Sequence, residues 1–316
     1  MANRFSNDSF KVIRTGPTTT IMNGITSLDV ALNTSTITPS GGNAFDDLHN
    51  VATQTPEIAI TTEGLAGALS TVAFINGLCL TGAGDELDVY MQAHNLCGAV
   101  PRIAASSSQA QMVHGRILVE SVNASPGANA TISLRAHATS ATGAIEPIVW
   151  THGSITLPTV DAAYKNTMWS LGKVMVAGVA IDKVTNVSIS YNHSVLKPIT
   201  NGSIWPIEVA VTKTSPTISI TTEDTTLIEP GTYTTSGLAV THANTNIQFR
   251  KRADNAAFVL DATAEHINLT AAGVAYIRQV YTASGNATGT SVIGINTIDD
   301  GSNNPLVWDL AWAYVP

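Results

Sequence analysis

The stretch PEIAITTE, Pro56–Glu63, returns as PTISITTE at Pro216–Glu223 with six of its eight residues identical. Both versions alternate apolar and polar positions, which puts Ile58 with Ile60, and Ile218 with Ile220, on one face of a half-buried strand. Other matches follow in the same order, the signature of an internal repeat. ITSLDVAL (Ile25–Leu32) aligns with VTNVSISY (Val184–Tyr191), NGLCLT (Asn76–Thr81) with SGLAVT (Ser236–Thr241), and LDVYM (Leu87–Met91) with IQFRK (Ile247–Lys251). ASPGANATISL (Ala124–Leu134) is similar to ASGNATGTSVI (Ala283–Ile293), and EPIVW (Glu146–Trp150) to NPLVW (Asn304–Trp308). The first copy ends at Pro158 and the second at Pro316, so the sequence reads as a tandem duplication, residues 1–158 and 159–316.

Each copy is patterned mainly as β. RILVESV, TISLRAHA, AYIRQVYT and SVIGINTI read as strands, and the Gly/Asn/Ser clusters NASPGAN and ASGNATG between them as hairpin turns. Thr62 is placed to cap a short helix over EGLAGALSTVA (Glu63–Ala73). In the second copy Pro230, within Glu229-Pro230-Gly231, interrupts the equivalent stretch. A second helix is predicted over Asp161–Gly172, where the copies join. The expected fold is therefore two β-rich domains, each with a short helix against its sheets.

Composition narrows the functional classes. A net charge of −8 disfavours affinity for nucleic-acid phosphates, which takes clustered Lys and Arg. The one basic knot, Arg250-Lys251-Arg252, ends a strand-like run and reads as a solvated strand end. Cys79, in the apolar run GLCLT, reads as a buried thiol, and with Cys97 it makes no disulfide framework. The N-terminal MANRFSND has no apolar core for a signal peptide, and no window reaches membrane-span length, so folding in a cytoplasm is expected.

Catalytic constellations do not emerge. Nucleophile elbows, zincin helices, phosphate loops and dinucleotide fingerprints have no match. His94 with Cys97 is a single metal-like pair without a partner pair of zinc spacing. Asp46-Asp47 and Asp299-Asp300 are acidic pairs, and DDGSNN lacks the spaced ligands of a calcium loop. Asp85, Glu86 and Asp88 open a predicted strand and are expected to face solvent. No catalytic, cofactor-binding or metal-binding residue is predicted, and no cofactor.

PEIAITTEGLAGAL resembles the strand-then-helix stretch of phage tail tube proteins. ITSLDVAL and VTNVSISY resemble that family's early strand, each followed by a long loop. Some long-tailed phages have tube proteins of two fused tube domains that assemble as trimers, and the duplicated chain is similar to that arrangement. The resemblance implies tail-tube domains of β-sandwich or barrel-like form, in pseudo-hexameric homotrimer rings stacked into a tube. Implied partners are other copies, other tail proteins, and genome DNA passing without specific binding, in a virion assembled in the host cytoplasm with no membrane contact. It also implies that the long segments Asn33–Thr55 and Asn192–Ser215 reach a neighbouring ring. Trp150 and Trp308, at equivalent places, suit either core packing or an interdomain or inter-ring contact. Rival readings are a tail terminator, a capsid decoration protein, or a tandem carbohydrate-binding β-sandwich. The last needs clustered aromatics, whereas aromatics form 6% of the chain and are dispersed.

Overall fold

The computed structural model describes residues 4–5, 11–15, 20–22, 24–37, 50–71, 85–94, 102–158, 168–176, 178–200, 202–224, 240–241, 245–252, 266–271, 274–282, 289–298 and 306–313. Up to residue 158 these form β1 (Arg4–Phe5), β2 (Lys11–Thr15), β3 (Thr20–Met22), β4 (Ile25–Ala31), β5 (Thr34–Ile37), β6 (Asn50–Gln54) and β7 (Glu57–Thr62). Helix α1 (Leu65–Thr71) follows, then β8 (Glu86–His94), β9 (Arg102–Met112), β10 (Gly115–Ala124), β11 (Thr131–Ala138) and β12 (Ile148–Gly153). The second half begins with β13 (Met168–Val176), β14 (Val179–Ile181), β15 (Val184–Ser190), β16 (His193–Leu196), β17 (Ala210–Thr214) and β18 (Thr217–Thr222). It ends with β19 (Val240–Thr241), β20 (Thr245–Arg252), β21 (His266–Ala271), β22 (Val274–Thr282), β23 (Thr290–Ile298) and β24 (Leu306–Trp312).

The chain is mainly β, in several antiparallel sheets. A nine-stranded sheet runs β19-β22-β23-β18-β15-β10-β11-β7-β4, and so takes strands from both halves. A six-stranded sheet belongs to the first half, in order β12-β9-β8-β2-β3 with β1 also on β8. A five-stranded sheet, β14-β13-β20-β21-β24, belongs to the second. Two hairpins, β5-β6 and β16-β17, stand apart from these sheets.

Strands about 159 residues apart take the same places in their sheets. The path β3-β2-β8-β9-β12 matches β14-β13-β20-β21-β24, and β10-β11-β7-β4 matches β22-β23-β18-β15. Irregularities recur as well. A bulge between Ile25 and Ser27 against β7 has its counterpart between Val184 and Asn186 against β18. Asn33 and Asn192 both adopt positive φ and both bond across the hairpin base, Nδ2 donating to the carbonyl of Thr55 or Ser215. Asn tolerates that backbone region better than most side chains, which makes it a natural stop for β4 and β15.

Alternation in sequence becomes alternation in burial. Ile58, Ile60 and Thr62 on β7, and Ile218, Ile220 and Thr222 on β18, are buried, and the residues between them are half-buried. One apolar row crosses seven strands through Ile25, Thr62, Ile132, Val122, Ile189, Ile218 and Ile295. It shares one core with Leu87, Val89 and Met112 of the six-stranded sheet and with Ile247, Phe249 and Leu269 of the five-stranded sheet. Each fully buried Ile or Leu contributes roughly 1.5–3 kcal/mol, so this face holds the layers together. The opposite face carries the row Ser27, Thr61, Ser133, Ser121, Ser190, Thr217 and Asn296.

Thr62 Oγ1 accepts from the N–H of Gly64 at the start of α1, and Thr222 Oγ1 accepts from Asp224 N in the same way. Leu65, Ala68 and Leu69 bury one side of α1, which packs on β3 and β11. The second copy's helix stretch, Glu229-Pro230-Gly231 included, lies outside the described residues. The helix predicted over Asp161–Gly172 is corrected for residues 168–172, which belong to β13. There Trp169 and Leu171 are buried and pair with Lys251 and Phe249 of β20, so tertiary pairing outweighs the helix-favouring alanines upstream. No helix of the described residues is long and apolar enough to cross a membrane.

Candidate functional site

Where the halves meet, β10 pairs with β15 in the register Ser121↔Ser190, Val122↔Ile189, Asn123↔Ser188 and Ala124↔Val187. The N–H of Tyr191 extends the ladder by donating to the Glu120 carbonyl at 3.0 Å. This junction is an edge-to-edge contact, with β15 as the last strand of one half's set and β10 as the first of the other's. A second contact lies nearby, where Ala130 N donates to the Trp169 carbonyl and Ser170 Oγ to that of Ser125.

A charged cluster covers the open face of the junction. Glu57 begins β7, and His137 is its register partner on β11. His137 Nδ1 donates to Glu57 Oε1 at 3.1 Å, and Arg135 Nη1 donates to Oε2 at 2.9 Å. Lys197, which follows β16, forms a close ion pair with the same carboxylate. Arg135 also engages Glu120 through Nε and Nη2. Glu120 stands at the β10 bulge between Val119 and Ser121. The bond from His137, reinforced by Lys197 and Arg135 and opposed by burial, holds the Glu57 carboxyl well below the usual carboxylate range.

His193 completes the cluster. The Val119 carbonyl can only accept, so Nε2–H donates to it at 2.9 Å and Nδ1 accepts from the Thr214 hydroxyl at 2.9 Å. Burial pushes the His193 pKa below its ordinary value. The ring stacks on Tyr191, whose hydroxyl accepts from Trp308 Nε1 at 2.6 Å. A cavity of about 460 Å³ opens over these groups, lined by Glu57, Glu120, Arg135, His137, His193 and Lys197 among others. Cations and carboxylates already satisfy one another there, so the arrangement acts as a clamp between the halves.

Both shifts set the same acid dependence. His193 is less readily protonated folded than unfolded, so its penalty is absent above about 6.5 and grows as pH falls below it. Glu57 stabilises fully above about 4.5, and this is lost as pH falls through its depressed folded value. Melting temperatures recorded from about pH 8 down to about pH 3 are therefore expected to fall in two stages. His193→Gln, which keeps an N–H for Val119, should flatten the first stage alone.

The segment Asn192–Ser215 bonds to the first half of its own chain. Gln54 N donates to the Ile204 carbonyl at 2.7 Å, Trp205 Nε1 to Gln54 Oε1 at 3.0 Å, and Ser140 N to the Pro206 carbonyl at 2.8 Å. In Asn33–Thr55, residues 38–49 lie outside the described residues.

The acids at the start of β8 are also corrected. Asp85 is 4% exposed and Asp88 6%, not solvent-facing. Asp85 Oδ2 accepts from Ile117 N, and Asp88 accepts from Gln109 Nε2, so each tethers a neighbouring strand. Trp308 packs on Phe249 beside the core, whereas Trp150 is 40% exposed and stacks on His152. Arg250 and Lys251 lie at the end of β20, and His94 ends β8. Cys79, Cys97, Asp46, Asp47, Asp299 and Asp300 lie outside the described residues. Among the described residues, no three His, Cys, Asp or Glu gather to hold a metal.

Sequence reasoning missed the Glu57 clamp. Its bonded partners are 15 to 140 residues apart and form no motif. A signal did exist, because Glu57 against Thr217 is one of only two mismatches in the repeated octapeptide. No protein-family model matches the chain, and no curated protein matches it.

Proposed function

We propose that the chain is a tandem duplication of a tail-tube-like domain, residues 1–158 and 159–316, and that three copies close into a pseudo-hexameric ring stacking into the tube of a phage tail. One observation carries this reading: the edge β15 docks on β10 within the chain, while their counterparts β4 and β22 end the two matched four-strand sets without each other. A contact that joins one half to the next also suits the next copy. Repeated head to tail, it either closes a ring or winds into a filament. Among the described residues β22 carries β19 only at Val274 and Ala275, so the stretch that would dock is Gln279–Thr282, an exposed edge of the kind soluble proteins otherwise suppress.

Closure also suits the passage of DNA. Three chains supply roughly 24 strands, and at a spacing of about 4.8 Å and a tilt of about 40° such a barrel measures about 45–50 Å across its backbone. The polar row from Ser27 to Asn296 would then face the lumen, with Arg135 and Lys197 neutralised by Glu120 and Glu57. At the junction, then, the cations are already bound to carboxylates and attract DNA phosphates little. The ring would belong to a virion assembled in a host cytoplasm, alongside other tail proteins.

Cysteine pairing tests the reading. Ser121 and Ser190 face each other in the junction, and their counterparts are Val280 and Ala31. This pair alternates with the bonded Tyr191–Glu120 step, so its side chains sit at the closer spacing that a disulfide needs. In a Cys79→Ser/Cys97→Ser background, Ala31→Cys/Val280→Cys is expected to give, on mild oxidation, a ladder that stops at three chains. Electron micrographs of the untreated protein should show hollow stacked rings. A ladder running on without limit would mean an open filament, and a lone monomer band would end the proposal.

A further inference from the structure

The within-chain junction holds the carboxylates Glu57 and Glu120, and the counterpart places along β18, β23 and β22 hold none; the one charged residue there is Arg278, in register with Gly294 and in the place of Leu118. Glu57 pairs in register with Ala31 and His137, and the residue in that place in the second half, Thr217, pairs with Ser190 and Asn296. Arg135 lies opposite Ala59, and its counterpart opposite Ser219 is Gly294. The bulge that holds Glu120 is absent from β22, where Gln279 pairs with Ile293. The hairpins differ in the same sense. β16-β17 carries His193 and is followed by Lys197, whereas β5-β6 carries Thr34 at the place of His193.

We propose that this difference selects partners: the socket built from Thr217, Gly294 and Asn296 accepts the hairpin β5-β6 of a second copy, whose strands carry no charged residue, and rejects β16-β17. The inference rests on the ring reading and deepens it. If β16-β17 sat on that socket, Lys197 would be covered with no carboxylate to receive it, and an unpaired covered charge is strongly disfavoured. In the reverse mismatch, β5-β6 over Glu57 would deprive that carboxylate of its lysine. The two halves must then alternate around the ring, as a closed pseudo-hexamer requires.

The test uses the full chain. In an Arg278→Gln background, which removes the cation in register with Gly294, Thr217→Glu places an unpaired carboxylate in the socket, whereas Thr217→Gln has the same shape without the charge. The glutamine variant is expected to form rings at the wild-type concentration, measured by sedimentation. The glutamate variant should need at least about tenfold more protein or remain a folded monomer. Asn296→Asp, at a residue exposed in the free chain, repeats the comparison should Thr217→Glu fail to fold. If the wild type forms rings and the charged variants assemble equally well, the selection proposal fails and the ring reading stands. If the wild type forms no rings, both fall together.

Discussion

A chain carrying Leu32→Pro is expected to fold, to melt close to the wild type, and to remain monomeric where the wild type forms rings. Leu32 follows β4 and is 42% exposed, so losing its side chain costs the free chain little. Its counterpart is Tyr191, whose N–H bonds the Glu120 carbonyl across the within-chain junction. The Leu32 N–H therefore points to where a second copy's β22 would lie. Proline removes that donor and sets a ring against the approaching strand. Leaving a covered carbonyl without a partner costs about 1–3 kcal/mol, and a ring of three repeats that cost at each contact. Ring formation should weaken by roughly a hundredfold or more. The mirror variant, Tyr191→Pro, should instead damage the single chain, because there the same donor serves the internal junction. Rings of Leu32→Pro at wild-type concentration would show that β4 is not the docking edge.

How far the sequence led follows from what each feature depends on. EIAITT and TISITT were legible because burial on a sheet follows a two-residue period, and their burial alternates as that period requires. The hairpins were legible because turn chemistry is local. The joining of β15 to β10 was not, since Ser121 against Ser190 carries no complementary signal along the chain. Asp85 and Asp88 were misread for a related reason. A carboxylate that ties down Ile117 N or Gln109 looks, in sequence, like one that faces water. At Met168–Gly172 local helix preference lost to pairing with β20. The Glu57 clamp gathers residues from β7, β10, β11 and the segment after β16. Only the departure from repetition at position 57 marks it in the sequence.

Glu57→Ala should lower the melting temperature by about 3–6 °C, which corresponds to roughly 2–4 kcal/mol in a chain of this size. The Glu57 side chain is 14% exposed and accepts from His137, Arg135 and Lys197 together. Removing it leaves Lys197, itself 19% exposed, without that acceptor, while Arg135 keeps Glu120. The cost therefore comes chiefly from the stranded cation rather than from one lost bond. Lys197→Ala alone should cost less, about 1 kcal/mol, because Glu57 retains two donors. In the double variant the cation is gone, so the combined loss should fall short of the sum by about 1–2 kcal/mol. Strict additivity would mean that Glu57 and Lys197 do not act on one another. The cluster would then be a bystander on the open face, and the hold between the halves would rest on the β10–β15 ladder and the apolar row beneath it.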